Sequence, residues 1–189
     1  MGKSASGKDH IYARLAAHEE LGLKKLVLYT TRPIRAEEED GKQYYFVDDK
    51  KLKEFQEKGC VIEARAYHTV HGIWTYFTAD DGQIELWQYD YLVIGTIESY
   101  YALKEYFGDD VMVPLYIEVE DGLRLQRALD RERMQDKPKY TELCRRFLAD
   151  DADFAEEALE KAGITRHFEN DNLQKTVEDI AAFVLSYNG

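Results

Sequence analysis

The residues best suited to chemistry open the chain: Gly2-Lys3-Ser4-Ala5-Ser6-Gly7-Lys8 fits G-x-x-x-x-G-K. Glycines at both ends let backbone N–H groups turn inward around phosphate oxygens, and a helix starting at once adds its positive end. Lys8 would reach the β- and γ-phosphates of a nucleoside triphosphate as a point charge. Gly2, Ser4, Ala5, Ser6, Gly7, Lys8 and Asp9 are therefore candidate phosphate-binding residues. The plain alternative is a chance Gly-rich turn; small residues filling the loop, with a helix directly after, favour the phosphate reading. Asp9 stands where Ser or Thr normally presents a hydroxyl to Mg²⁺, and its carboxylate would hold the ion directly or through water. Such a loop normally follows a buried strand, whereas Met1 alone precedes it here. The expectation is a first core strand missing from this sequence, with the true start upstream.

A second constellation is Thr30-Thr31-Arg32-Pro33-Ile34-Arg35. The proline stiffens an extended segment, so Arg32 and Arg35 can converge on one phosphate. Gly41 to Val47 supplies phenol hydroxyls close by, from Tyr44 and Tyr45. A solvated basic turn before the acidic run Glu37 to Asp40 is the alternative for this segment alone. His68 and His71 lack a third ligand at convincing spacing and read as ordinary surface or pocket histidines. Asp150, Asp151, Asp153, Glu156 and Glu157 read most simply as a solvated helix face, and most of the 14 tyrosines as core.

The elements that must position these groups follow from periodicity and stop signals. Helices are expected over 9–21, 48–58, 99–107, 122–134 and 141–162, with strands at 26–29, 43–47, 61–67, 74–77, 91–94, 112–119 and 165–168. A closing helix carries Leu173, Val177, Ile180, Ala181 and Val184 at helical spacing. Strands alternating with helices predict an α/β fold: a three-layer parallel sheet of the P-loop NTPase type with right-handed crossovers. The denser β segment, 29–81, reads as an inserted acceptor-binding subdomain within a single domain. The core would then comprise 1–28, 82–126 and 163–189, and 127–162 a helical lid.

Composition limits the partners. The 189 residues carry 37 Asp and Glu against 25 Lys and Arg, a formal net charge of -12. That argues against a nucleic-acid or anionic-membrane binder but not against an anionic small molecule, which needs only a few placed cations. Two cysteines make no disulfide framework, charged residues begin at Lys3, and no apolar run approaches the ~20 residues that span a bilayer. The expectation is a cytoplasmic protein; no feature sets an oligomeric state.

In order and spacing, the loop, Thr-Thr-Arg-Pro-x-Arg, the acidic stretch and Asp-Gly-x-x-Tyr-x-Phe-Val resemble guanylate kinases. The likeness runs on through Val61-Ile62-Glu63-Ala64, Arg127-x-x-x-Arg131, Arg145-Arg146 and Asn170-Asp171-Asn172-Leu173, and so covers nearly the whole chain. It implies ATP-dependent, Mg²⁺-assisted phosphorylation of a nucleoside monophosphate, GMP first. By resemblance, Arg32, Arg35 and Tyr44 would hold the acceptor phosphate and Glu63 the guanine N1 and amino group. Arg127, Arg131 and Arg146 look like hinge and lid arginines that act with Lys8 on the transferring group, and Asn170 like a residue near adenine. Positioning and charge neutralisation would supply most of the catalysis. Three departures stand out: Leu28 replaces a guanine-contacting serine, Thr96 falls where an aspartate reads guanine, and His71-Gly72 takes a Tyr-Gly place. Two alternatives remain. One is a ribose 1,5-bisphosphate phosphokinase, whose members resemble this chain in having Asp after the loop lysine. The other is a silent guanylate-kinase-like binding module, which typically loses that lysine.

Overall fold

The computed structural model describes residues 1–35, 38–69 and 72–187. Among them the chain forms α1 (Lys8–Ala16), β1 (Lys24–Lys25), β2 (Tyr29–Thr30), β3 (Tyr45–Phe46), α2 (Asp49–Glu57), β4 (Val61–Thr69) and β5 (Gly72–Ala79). There follow β6 (Tyr91–Leu92), α3 (Ile97–Phe107), β7 (Tyr116–Glu118), α4 (Asp121–Arg133), α5 (Tyr140–Asp153), α6 (Glu156–Lys161), β8 (His167–Glu169) and α7 (Leu173–Tyr187).

Local chemistry explains most boundaries. The Asp48 carboxylate accepts from the Lys51 amide at 2.7 Å and starts α2, while Thr96 and Ser99 form a reciprocal capping box on α3. One expected helix is two. The stretch 141–162 breaks at Phe154-Ala155, because Phe154 turns inward onto Tyr116 and only 7 % of it stays exposed. Burying that ring is worth more than continuing the backbone ladder through it.

Tyr91, Leu92, Tyr116 and Ile117 lie in parallel strands, as their apolar runs predict. The core sheet nevertheless comes in two parallel pairs, β1–β6 and β7–β8, where one continuous sheet was expected. α1 and α7 cover one side through Ile11, Leu15, Val177 and Ile180; Tyr100 of α3 packs with Tyr116, Leu159 and Ile164 in a second cluster. A cavity of about 430 Å³ is lined by Leu92, Val93 and Ile94 on one flank and by Val113, Leu115 and Ile117 on the other. Met1 lies at this cavity. Its amine donates to the Leu115 carbonyl at 2.7 Å, and its carbonyl accepts from the Ile117 amide at 2.8 Å. That pair of bonds is the one-residue repeat of a parallel ladder.

The second sheet has strand order β3-β2-β5-β4 and two unlike faces. One packs Tyr29, Phe77 and Ala79 onto Leu52 and Phe55 of α2. The other carries Thr30, Arg65, Tyr76 and Thr78, which follows from their cross-strand pairing and the period of two. A bulge in β4 sets the exchange between faces. Val61 opposes Ala79 on the core side, and Glu63 opposes Thr78 on the polar side, so Ile62 is the extra residue. The bulge re-aims Glu63 out of the aromatic core.

Candidate active site

The loop before α1 is held in a shape that local sequence would not adopt alone. Gly7 sits at φ 84 and Ala5 at φ 63, and the Ser6 amide returns to the Lys3 carbonyl at 3.2 Å. A left-handed alanine costs about 1–2 kcal/mol, so tertiary contacts must hold it. Two sets do. Asn170, 3 % exposed, donates from Nδ2 to the Ser6 carbonyl at 2.7 Å. From the other flank, Asp150 accepts from the Ser4 amide at 2.8 Å and Asp151 pairs with Lys3 at 2.7 Å. Arg124, buried against Phe147, joins the same carboxylates through a 2.7 Å contact to Asp151. Asp150 and Asp151 are therefore not a solvated face: they bind the loop from α5.

Close approach dictates both glycines of the motif. A Cβ at Gly2 would meet the Ile117 carbonyl oxygen at 2.5 Å, and one at Gly7 would meet Asn170 Nδ2 at 2.3 Å. Lys8 begins α1 and is half-buried, with no hydrogen bond or ion pair among the described residues. The Met1 amine is pushed down to about 5, first by burial and then by the Lys8 charge nearby. Ser6 keeps a buried hydroxyl oxygen without a partner among the described residues. Asp9 is exposed on the first turn of α1.

Arg32, Tyr44 and Glu63, expected to bind an acceptor, gather on the polar face of the second sheet. Arg32 is 4 % exposed, lies over the Tyr44 and Phe46 rings, and donates from Nε to the Tyr76 hydroxyl at 3.1 Å. Its fork holds Glu38, one arm at 2.6 Å and the other in a second close contact. Arg35 does not converge with it: that side chain is exposed, and its hydrogen bonds to Glu38 come from the backbone, the amide donating to the carboxylate at 2.9 Å and the carbonyl accepting from the Glu38 amide at 3.1 Å. Tyr44 packs edge-on to Tyr76 at 5.4 Å. Burial first, then the neighbouring Tyr76, raise the Tyr44 hydroxyl pKa, while Arg32 and Arg65 oppose this and Asp9 adds to it. Glu63, 9 % exposed, accepts from Thr78 Oγ1 at 2.8 Å and from Arg65 Nε at 3.0 Å.

Other expected site residues fall elsewhere. Thr96 spends its hydroxyl capping α3 and lines the apolar cavity. Arg127 donates to the Asn170 carbonyl at 3.0 Å, Arg131 is exposed, and Arg146 lies near Glu142 at 3.8 Å. His71 lies outside the described residues. Tyr76, Arg65 and Asn170's clamp on the loop were not legible, although alternation along 72–79 did put Tyr76 and Thr78 on one face.

Arg32 and Glu38 give the site an acid-sensitive element. The Arg32 hydrogen bonds, with help from the Arg35 amide, hold the Glu38 carboxyl down at about 2 from a usual 4.5. A depressed carboxylate stabilises the fold above its unfolded pKa and loses that contribution as pH falls toward the folded one. Glu38→Gln is expected to cost about 2 kcal/mol at neutral pH. Urea midpoints of the two chains should draw together between pH 4.5 and 2; a gap constant across that window would exclude the pairing.

Compared with known proteins, residues 1–74 match the guanylate kinase family. A guanylate kinase of Nitrosomonas europaea is 34% identical over 65 residues, which is 34% of this chain and 32% of that protein. The matched part thus spans about a third of that relative. The crystal structure of guanylate kinase from Anaplasma phagocytophilum superposes with a TM-score of 0.61 at 21% identity, covering 98% of this chain and 83% of that one. At that identity the superposition speaks for the fold. The matched segment holds both the loop and the Arg32 constellation; there the chain resembles guanylate kinases in sequence, and over nearly its whole length it resembles one in fold.

Proposed function

We propose that the chain transfers a phosphoryl group from ATP to a nucleoside monophosphate, with GMP the preferred acceptor. The observation that carries this is that residues 1–74, the part matching the guanylate kinase family, hold both the loop that leads into Lys8 and the buried Arg32 with Tyr44 and Tyr76 around it. Loop amides and Lys8 would hold the donor phosphates, while Arg32, with Tyr44 and Tyr76 around it, would hold the acceptor phosphate where Glu38 now sits. Arg35, exposed beside it, would swing onto the same group. Arg127, Arg131 and Arg146 of α4 and α5, in the lid segment 127–162, would exclude water and meet charge developing in transfer. The donor set suits Mg²⁺: Asp9 is a single exposed carboxylate, and no three ligating side chains cluster among the described residues. Such an ion is held chiefly by phosphate oxygens and water, and bound there it would neutralise phosphate charge.

A coupled assay with ATP and a panel of monophosphates plus ribose 1,5-bisphosphate tests the reading. GMP should turn over fastest; turnover confined to ribose 1,5-bisphosphate would replace it with the sugar-phosphate reading, which Asp9 favours. Silence with all of them would remove both.

The gap between the two parallel pairs belongs to the same proposal. Met1 already pairs as one residue of a parallel strand, and the apolar cavity continues that line between β6 and β7. We assign it to a further extended apolar strand running into Met1. Four to six Val or Ile residues joined ahead of Met1 should stabilise the fold by about 3 kcal/mol after conformational entropy, roughly 6–12 °C in Tm. A Gly/Ser segment of equal length is the control, and equal melting of the two would remove the assignment.

A further inference from the structure

We propose that Arg65 completes the base-reading edge of the acceptor site, making it selective for a purine lactam. The inference rests on the monophosphate-acceptor reading and deepens it. Two guanine-contacting groups expected from the resemblance are replaced, by Leu28 and by Thr96, and Thr96 is spent on a helix cap. Something else must then supply polarity beside Glu63.

Arg65 is placed to do so. The bulge at Ile62 puts Glu63 on the same face as Arg65, Tyr76 and Thr78. Arg65 Nε donates to Glu63 Oε2 at 3.0 Å, and Nη2 reaches Oε1 at 3.4 Å. Thr78 Oγ1 donates to Oε1 at 2.8 Å. A carboxylate offers about four lone-pair positions and a guanidinium five N–H donors. The pair therefore keeps acceptor capacity on Glu63 directly beside free donors on Arg65. Both side chains are largely buried, at 6% and 15% exposure, where an unmatched polar group is expensive. Tyr76 stacks edge-on with Tyr44 and Tyr67, forming an aromatic wall alongside.

An acceptor next to a donor has a specific complement. In guanine and hypoxanthine the N1–H would donate to Glu63 and the C6 carbonyl would accept from Arg65. Adenine inverts both: its N1 is an acceptor and its 6-amino group a donor. It would set a lone pair against the carboxylate and an N–H against the guanidinium. Sites built on buried polar pairs reject such an inversion far better than an apolar wall does.

Calorimetric titration of the intact chain with GMP, IMP, AMP and ribose 5-phosphate reads this without requiring turnover. GMP and IMP should bind at least about a hundredfold more tightly than AMP. In Arg65→Met the GMP-to-AMP preference should fall at least about tenfold, ribose 5-phosphate affinity staying unchanged; Arg65→Lys should recover part of it. A merely structural role for Arg65 would weaken all four ligands together. Equal binding of GMP and AMP to the parent chain overturns the inference, even if the variants do not fold. So does an unchanged preference in a folded Arg65→Met. Binding of none of the four overturns the acceptor reading itself, and this inference with it.

Discussion

Lys8→Ala is expected to lower phosphoryl transfer from ATP by at least about a thousandfold, some 4 kcal/mol of transition-state stabilisation. Lys8 is the first residue of α1, directly after the loop, and among the described residues no carboxylate neutralises it. Burial, and after it the Lys8 charge, bring the Met1 amine pKa down to about 5. A half-buried cation with no ion pair among the described residues is matched to an anionic ligand, and in phosphoryl transfer such groups act by neutralising charge. Lys3, by contrast, is tied to Asp151 and cannot stand in for it. The measurement is steady-state turnover at saturating ATP and GMP, with GMP binding followed separately. Acceptor affinity should hold within about twofold, because Lys8 belongs to α1 whereas Glu63 belongs to the second sheet and Arg32 packs on it through Tyr76. Turnover within tenfold of the parent would mean that Lys8 does not meet the transferring phosphate.

Gly7→Ala should be the most damaging single methyl group in the loop. Gly7 is left-handed at φ 84, which a Cβ penalises by about 1–2 kcal/mol. The same Cβ would lie 2.3 Å from Asn170 Nδ2, so Asn170 must leave. Its departure strands the Ser6 carbonyl it serves at 2.7 Å, at about 1–3 kcal/mol. Together roughly 2–5 kcal/mol follows, about 4–20 °C in Tm for a chain of this size. ATP protection against thermal unfolding should vanish along with it. Asn170→Ala on its own should show the second contribution only. A Gly7→Ala chain that melts with the parent would show that the loop is not clamped this way.

Sequence by itself determined the local chemistry. The G-x-x-x-x-G-K spacing, the Asp48 cap and the 3.6 and 2.0 periodicities act within a few residues of themselves. So the loop before α1, nearly every helix and most strands could be placed from them. The resemblance alone assigns Arg32 and Glu63 to an acceptor; in the structure Arg32 reaches Tyr76 on the sheet face that also carries Glu63. Only the tertiary structure decided what each group faces. Asp150 reads as a solvated acid, yet it caps Ser4 because α5 folds back across 146 positions. Asn170 becomes a loop clamp across 164. The split at Phe154 followed from a ring finding Tyr116, and the face of Glu63 from one bulged residue. Period counting fails at such points: inserting one residue inverts every side chain beyond it, and nothing in the strand announces the insertion. The loop at Gly2 to Lys8 was thus written locally, but its working shape is held by residues at the far end of the chain.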